Sequence, residues 1–188
     1  MKATVITASN RAAAGVYEDT TGPLIVDALK DLGFEVTGPV VVPDGQPVAD
    51  AISSAVAGGA RAVLTTGGTG LTPTDLTPEM TRPLLDREVP GIAEAIRAYG
   101  VANGVPTAAL SRGLAGVAGS CLVVNLPGSR GGVKDGLTVL DRWRKDVATW
   151  LYDTQAITLQ THAGTGLHST PGETEAAFSI TSRATRSA

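Results

Sequence analysis

Short apolar runs alternate along this chain with segments whose apolar residues recur every three or four positions. Lys2–Ala8 (KATVITA) is rich in β-branched residues and predicts a strand. Pro23–Leu32 sets Leu24, Ile25, Ala28, Leu29 and Leu32 on one helical stripe, with Thr20 or Thr21 as the cap and Gly33 as the stop. A strand follows at Phe34–Val42, bent at Gly38-Pro39, then a small-residue helix at Pro47–Ala57 with Pro47 in its first turn. Arg61–Thr66 (RAVLTT) predicts a third strand. Pro78–Glu88 reads as a helix disturbed at Pro83, and Gly91–Tyr99 as an amphipathic helix. Thr107–Ser111 and Cys121–Asn125 (CLVVN) read as strands, the second apolar enough to be covered on both faces. Val133–Leu151 closes the series, with Val133, Leu137, Leu140, Val147 and Leu151 along one side. Strands that alternate with helices imply an α/β fold with a mainly parallel sheet covered on both faces.

Composition narrows this picture without changing it. The 188 residues suit one domain with a substantial core, and aromatics at 4% leave that core to Ala, Val, Leu and Ile. From about Gln160 the periodicity stops and Ser, Thr, Gly and Ala dominate. The expectation is a folded domain over residues 1–155 and a flexible tail over 156–188. The two histidines, His162 and His168, fall in that tail with irregular spacing and no third ligand nearby, which makes a poor metal site. Cys121 is the single cysteine; it lies in an apolar run and reads as a small buried thiol. A net charge of −3 does not suggest a nucleic-acid surface. MKATVITASNR lacks a signal-peptide run, and no stretch approaches the ~20 apolar residues of a membrane span. The expected setting is the cytoplasm.

Chemistry is expected beyond the carboxyl ends of the strands, where open α/β sheets bind ligands. Ser9, Asn10 and Arg11 follow the first strand, and Pro43, Asp44 and Gly45 the second. The third leads into GGTGLTPTDLTP, the fourth into Ser111, Arg112 and Gly113, and the fifth into NLPGSRGG, Asn125–Gly132. The glycine loop (Gly67, Gly68, Thr69, Gly70) could cradle an anion with its N–H groups, and the helix capped at Thr77 points its positive end to the same place. There is no Gly-Lys-Ser/Thr, and the glycine spacing does not fit G-x-G-x-x-G, so neither common nucleotide fingerprint is present. Asp44 and Asp75 fall on the same edge, and paired carboxylates beside a phosphate site suggest Mg²⁺. Asp44 could instead be a turn residue in Pro-Asp-Gly, and Asp75 a residue near a helix cap. Ser111-Arg112 offers a hydroxyl and a cation, and Arg130 and Lys134 further cations, though an arginine head is commonly just solvated.

Taken together, LTTGGTGLTPTDLTPE, VPGIAEAIR, PTAALSRGLAG and LVVNLPGSRGGVKDGL resemble the molybdopterin-binding proteins of the Mog/MoaB type, and VITASNRAAAGVYEDTTGP fits the same pattern. The resemblance spans roughly residues 1–150. It implies a three-layer α/β/α sandwich, a homotrimer, and binding of molybdopterin. In the Mog branch it implies adenylyl transfer from Mg-ATP to the molybdopterin phosphate, with the product passed to a molybdenum insertase. The alternative within the family is a MoaB-type molybdopterin carrier without that activity. By position in the motifs, Asp44 and Asp75 match the catalytic and Mg²⁺-binding acids, and Gly67, Gly68, Thr69, Gly70 and Thr77 the nucleotide and phosphate loop. Ser9, Arg11, Ser111, Arg112, Asn125, Pro127, Gly128 and Ser129 match the pterin side. Asn10 and Arg130 depart from the residues often found at their places.

Overall fold

Buried alternation builds the sheet. In the computed structural model, which describes residues 1–142, strands β1 (Lys2–Ala8), β2 (Glu35–Val42), β3 (Ala62–Thr66), β4 (Arg87–Glu88), β5 (Ala115–Ala118) and β6 (Cys121–Leu126) form a sheet of order β2-β1-β3-β6-β5-β4. The four strands β2, β1, β3 and β6 are parallel, while β5 runs antiparallel to β6 and β4 antiparallel to β5.

Successive residues of each central strand point to opposite faces. Ala3, Val5, Ala62, Leu64, Leu122 and Val124 face one apolar cluster, filled by helices α2 (Gly22–Asp31), α5 (Pro90–Ala102) and α6 (described over Arg130–Arg142). Ile6, Ala8, Val63, Cys121 and Val123 face the other, filled by α3 (Gln46–Ala57) and by Met80 of α4 (Thr77–Thr81). This is the expected sandwich of three layers. Apolar residues on both sides of β3 and β6 are what a doubly covered strand requires. Burial pushes the Cys121 thiol up to about 11, so it stays protonated and inert at neutral pH.

The structure departs from the sequence expectations in three places. Thr107–Ser111 is not a strand: Pro106–Leu110 forms a 3-10 turn, with Pro106 at its start where a missing N–H costs nothing. The strand in this region is β5, built from Ala, Gly and Val. Gly116 must be small, because an added Cβ would meet the Arg87 carbonyl at 2.5 Å. Pro78–Glu88 is not one helix. After α4, a 3-10 turn over Arg82–Leu84 holds Pro83, whose ring and absent N–H stop the helix, and the chain then pairs as β4. A further short helix, α1 (Asn10–Ala13), follows β1, with Ser9 Oγ accepting from Ala12 N at 3.2 Å as its cap.

The expected continuation of the last helix to Leu151, His162, His168 and the expected tail over 156–188 lie outside the described residues. Among the described residues, no helix is long and apolar enough to cross a membrane.

Candidate active site

Register brings the loops together. Ala8 pairs with Val42, Thr7 with Thr66, and Thr66 with Leu126. Ser9, Pro43, Gly67 and Pro127 therefore leave the sheet at one level. Ser111 and Arg112 reach the same edge for another reason: they precede β5, which is antiparallel, so its amino end lies where the parallel strands have their carboxyl ends. Thr66 Oγ1 donates to the Pro127 carbonyl at 2.8 Å, tying two of these exits together.

Bare backbone lines the centre of this edge. Gly67 has φ +92°, and a side chain there would run into the Ala8 carbonyl. At Gly68 a side chain would displace the Asp44 carboxylate and the Thr77 hydroxyl.

Two carboxylates flank the glycines. The Asp44 N–H donates to Asn10 Oδ1 at 3.1 Å, and Thr77 Oγ1 donates to Asp44 Oδ1 at 3.3 Å. Burial raises the Asp44 carboxyl above its usual range, with the Asp75 charge adding to it and bonds from Leu76 and Thr77 opposing. Asp75 Oδ2 accepts from Thr72 N at 2.8 Å and Thr72 Oγ1 at 2.6 Å, which leaves Oδ1 outside this pair of bonds. Among the described residues, no cluster of three or more His, Cys, Asp or Glu could hold a metal. A cation at Asp44 and Asp75 would thus have to complete its shell with water and ligand oxygens, as Mg²⁺ on a nucleotide does. The acids fit that ion.

The cleft has two lobes. A polar lobe of about 320 Å³ is walled by Thr7, Ser9, Arg11, Asp19, Asp44 and Gly67. A second lobe of about 460 Å³ is walled by Thr69, Leu71, Leu110, Ser111, Pro127 and Ser129. Gly68, Asp75 and Gly128 line both.

This division sorts the residues singled out in the sequence. Ser111, Pro127, Gly128 and Ser129 gather as expected, with Ser111 Oγ 3.4 Å from Thr69 Oγ1. Ser9 and Arg11 are not with them. They line the polar lobe beside Asp44, where Arg11 lies over the Tyr17 ring at 5.1 Å and Ser9 Oγ is 2.9 Å from the Tyr17 hydroxyl. Thr77 is fully buried behind Asp44.

Asn125 reaches neither lobe. It is 3% exposed; its amide donates to Thr65 Oγ1 and Thr81 Oγ1, both at 3.0 Å, and its oxygen accepts from Leu114 N. As a residue of β6 it points to the α3/α4 face, where it holds the floor of the site together. Arg112 is engaged too: it donates to Gly70 and Asp75 carbonyls and to Glu79.

Sequence reasoning passed over Asp19. Its Oδ1 accepts from Thr21 N at 2.9 Å and Gly22 N at 3.0 Å, and Oδ2 from Thr7 Oγ1 at 2.7 Å. Burial works against the charge, but these donors outweigh it and hold the carboxyl below its usual range. The signal was present: Asp-Thr-Thr-Gly-Pro ahead of a helix is capping chemistry.

A doubly covered α/β sheet with a two-lobed small-molecule cleft beyond its parallel strand ends defines the class of protein. Within that class the chain belongs to the molybdopterin-binding family: the model described as "Probable molybdopterin binding domain" matches residues 4–142. It is similar to the molybdopterin adenylyltransferase of Pyrococcus furiosus, 39% identical over 140 residues that cover 72% of this chain and 82% of that protein. The molybdenum cofactor biosynthesis protein B of Escherichia coli is 36% identical over 127 residues, covering 66% of this chain and 74% of that one. The molybdopterin biosynthesis Mog protein from Mycobacterium ulcerans superposes with a TM-score of 0.75 at 49% identity, over 79% of this chain and 98% of that chain.

Proposed function

We propose that this protein acts in molybdenum cofactor biosynthesis by transferring the adenylyl group of ATP to the terminal phosphate of molybdopterin. The observation that carries this reading is the shared wall of the cleft: Asp75 lines both lobes, so two ligands would meet beside one carboxylate. The similarity to a molybdopterin adenylyltransferase supports the choice of substrates.

In this reading an oxygen of the molybdopterin phosphate attacks the α-phosphorus of ATP. The new P–O bond forms as the α–β anhydride bond breaks, and pyrophosphate leaves with its electron pair. The nucleophile is already an anion, so no strong base is required, and a lining without histidine among the described residues is no obstacle. Asp44 and Asp75 would hold Mg²⁺, which neutralises phosphate charge when bound. Backbone around Gly67, Gly68 and Gly70 brings N–H donors close to the phosphates, as only residues without a side chain allow. The remaining work of the chain is alignment of the two ligands. The family resemblance supports a homotrimer in the cytoplasm that hands its product to a molybdenum insertase.

The test is to mix purified protein with molybdopterin and Mg-ATP. Adenylyl-molybdopterin and pyrophosphate in equal amounts are expected. Molybdopterin binding without pyrophosphate release would overturn transfer and assign the carrier role.

A further inference from the structure

We infer that Arg112 is the positioning residue that sets the Asp75 carboxylate in the cleft, by clamping the two ends of the loop that carries it. The guanidinium makes three kinds of contact. Nε donates to the Gly70 carbonyl at 2.7 Å, Nη2 donates to the Asp75 carbonyl, and Nη1 donates to Glu79 Oε1 in the first turn of α4. The Arg112 backbone N–H donates to the Thr69 carbonyl at 2.9 Å. One residue thus bridges the start of the loop, its end, and the helix that follows.

One backbone bond also joins the ends of the loop, from the Thr77 N–H to the Gly68 carbonyl at 3.0 Å. Leu71, Thr72, Pro73 and Thr74 are exposed, and the bonds of Thr72 to Asp75 are local to the loop itself. They shape the turn but do not place it against the sheet. A planar guanidinium with several donors in fixed directions can span two carbonyls and a carboxylate, which a lysine ammonium cannot do in the same geometry. The Arg112 hydrogen bond holds the Glu79 carboxyl below its usual range, so that carboxylate stays ionised at neutral pH. That pairing compensates the cation. The role expected of Arg112 from the sequence, a charge facing the pterin ligand, is replaced by a mechanical one.

The consequence for turnover rests on the adenylyl-transfer reading; the mechanical claim does not. The test uses Arg112→Lys, Asp75→Asn and the double variant of the full chain. Amide exchange in peptides covering residues 70–76 should be about tenfold faster in Arg112→Lys, with β1 and β3 peptides unchanged. Pyrophosphate release should fall roughly 10- to 100-fold. The fall should be in kcat, with a raised Mg²⁺ half-saturation and with KM for ATP within about twofold. In the Asp75→Asn background, Arg112→Lys should cost nothing further, because a residue that acts through another has no effect once that one is gone. Unchanged exchange at 70–76 overturns the clamp. Losses that multiply in the double variant overturn the positioning role and put Arg112 on the substrate. A wild-type protein without turnover defeats the transfer reading, and the exchange measurement still decides the clamp. If Arg112→Lys does not fold, Glu79→Gln, which keeps an acceptor and removes the charge, should show the same exchange change at a few-fold.

Discussion

The polar lobe is walled by strand ends and by the segment 9–21 that follows β1, whereas the second lobe is walled by the glycine loop and by two segments, 105–111 and 127–132, at the edge of the sheet. In the first, Thr7 donates to Asp19, buried Thr77 donates to Asp44 from behind, and the glycines expose only backbone. In the second, Leu71 and Leu110 stand 66% and 54% exposed at the wall, an apolar surface that a flat ring can cover. One lobe is mainly polar and the other mainly apolar. In the proposed reading a single site is divided between two unlike ligands, with Gly68, Asp75 and Gly128 at the join.

The sharpest way to break that contrast is Asp75→Asn. Pyrophosphate release should fall by about 10²- to 10³-fold, as when one group stabilising developing charge is lost. Molybdopterin affinity, read by fluorescence titration, should stay within about twofold. An equal collapse of affinity would place Asp75 in the second lobe alone. Next in size is Gly68→Ala. The added methyl displaces the Asp44 carboxylate and the Thr77 hydroxyl, so urea unfolding should show a loss of roughly 2 kcal/mol. A neutral result would mean that the centre of the edge is looser than its contacts imply.

Leu110→Asp should raise KM for molybdopterin about tenfold while leaving KM for ATP unchanged, the size expected for loss of one apolar contact. The reverse pattern would exchange the two lobes.

The smallest effect separates the acids by pH. Asp19 has a lowered carboxyl in the folded state, so its contribution to stability is present above the usual carboxylate range and is lost as pH falls through the lowered value. Asp44 has a raised one, so its contribution is present below the usual range and is lost as pH rises through the raised value. Thermal unfolding at pH 7 should therefore show Asp19→Asn destabilised and Asp44→Asn unchanged or slightly more stable. The Asp19 difference should shrink as the pH is taken down through the carboxylate range.

Much of the fold was legible in the chain because its signals are local. KATVITA, RAVLTT and CLVVN are apolar on both alternations, and the stripe of Ile25, Leu29 and Leu32 has helical period. The antiparallel edge was not legible. Ala115–Ala118 carries no period and little strand preference, and it becomes a strand only because β6 and β4 supply partners on either side. The glycine loop, Asp44, Asp75 and the Ser129 loop were all placed at the right edge. The direction of the Asn125 side chain was not legible, because an Asn between an apolar run and a glycine-rich loop reads as a ligand residue. Its side chain instead follows the alternation of β6 to a buried face, where one step along the strand reverses the direction.

By itself the sequence determined the alternation of strands and helices, the bare backbone of the glycine loop, and the set of acids available to it. These depend on neighbours a few positions apart, and the chain states them directly. Only the tertiary structure decided which lobe each residue lines, that Asn125 faces inward, and that Arg112 holds a loop 37 residues away and is not left free for a ligand. Those outcomes depend on hydrogen-bond partners brought together by strand register and packing. A guanidinium or an amide satisfies whichever acceptors the fold sets beside it, and no local pattern names them.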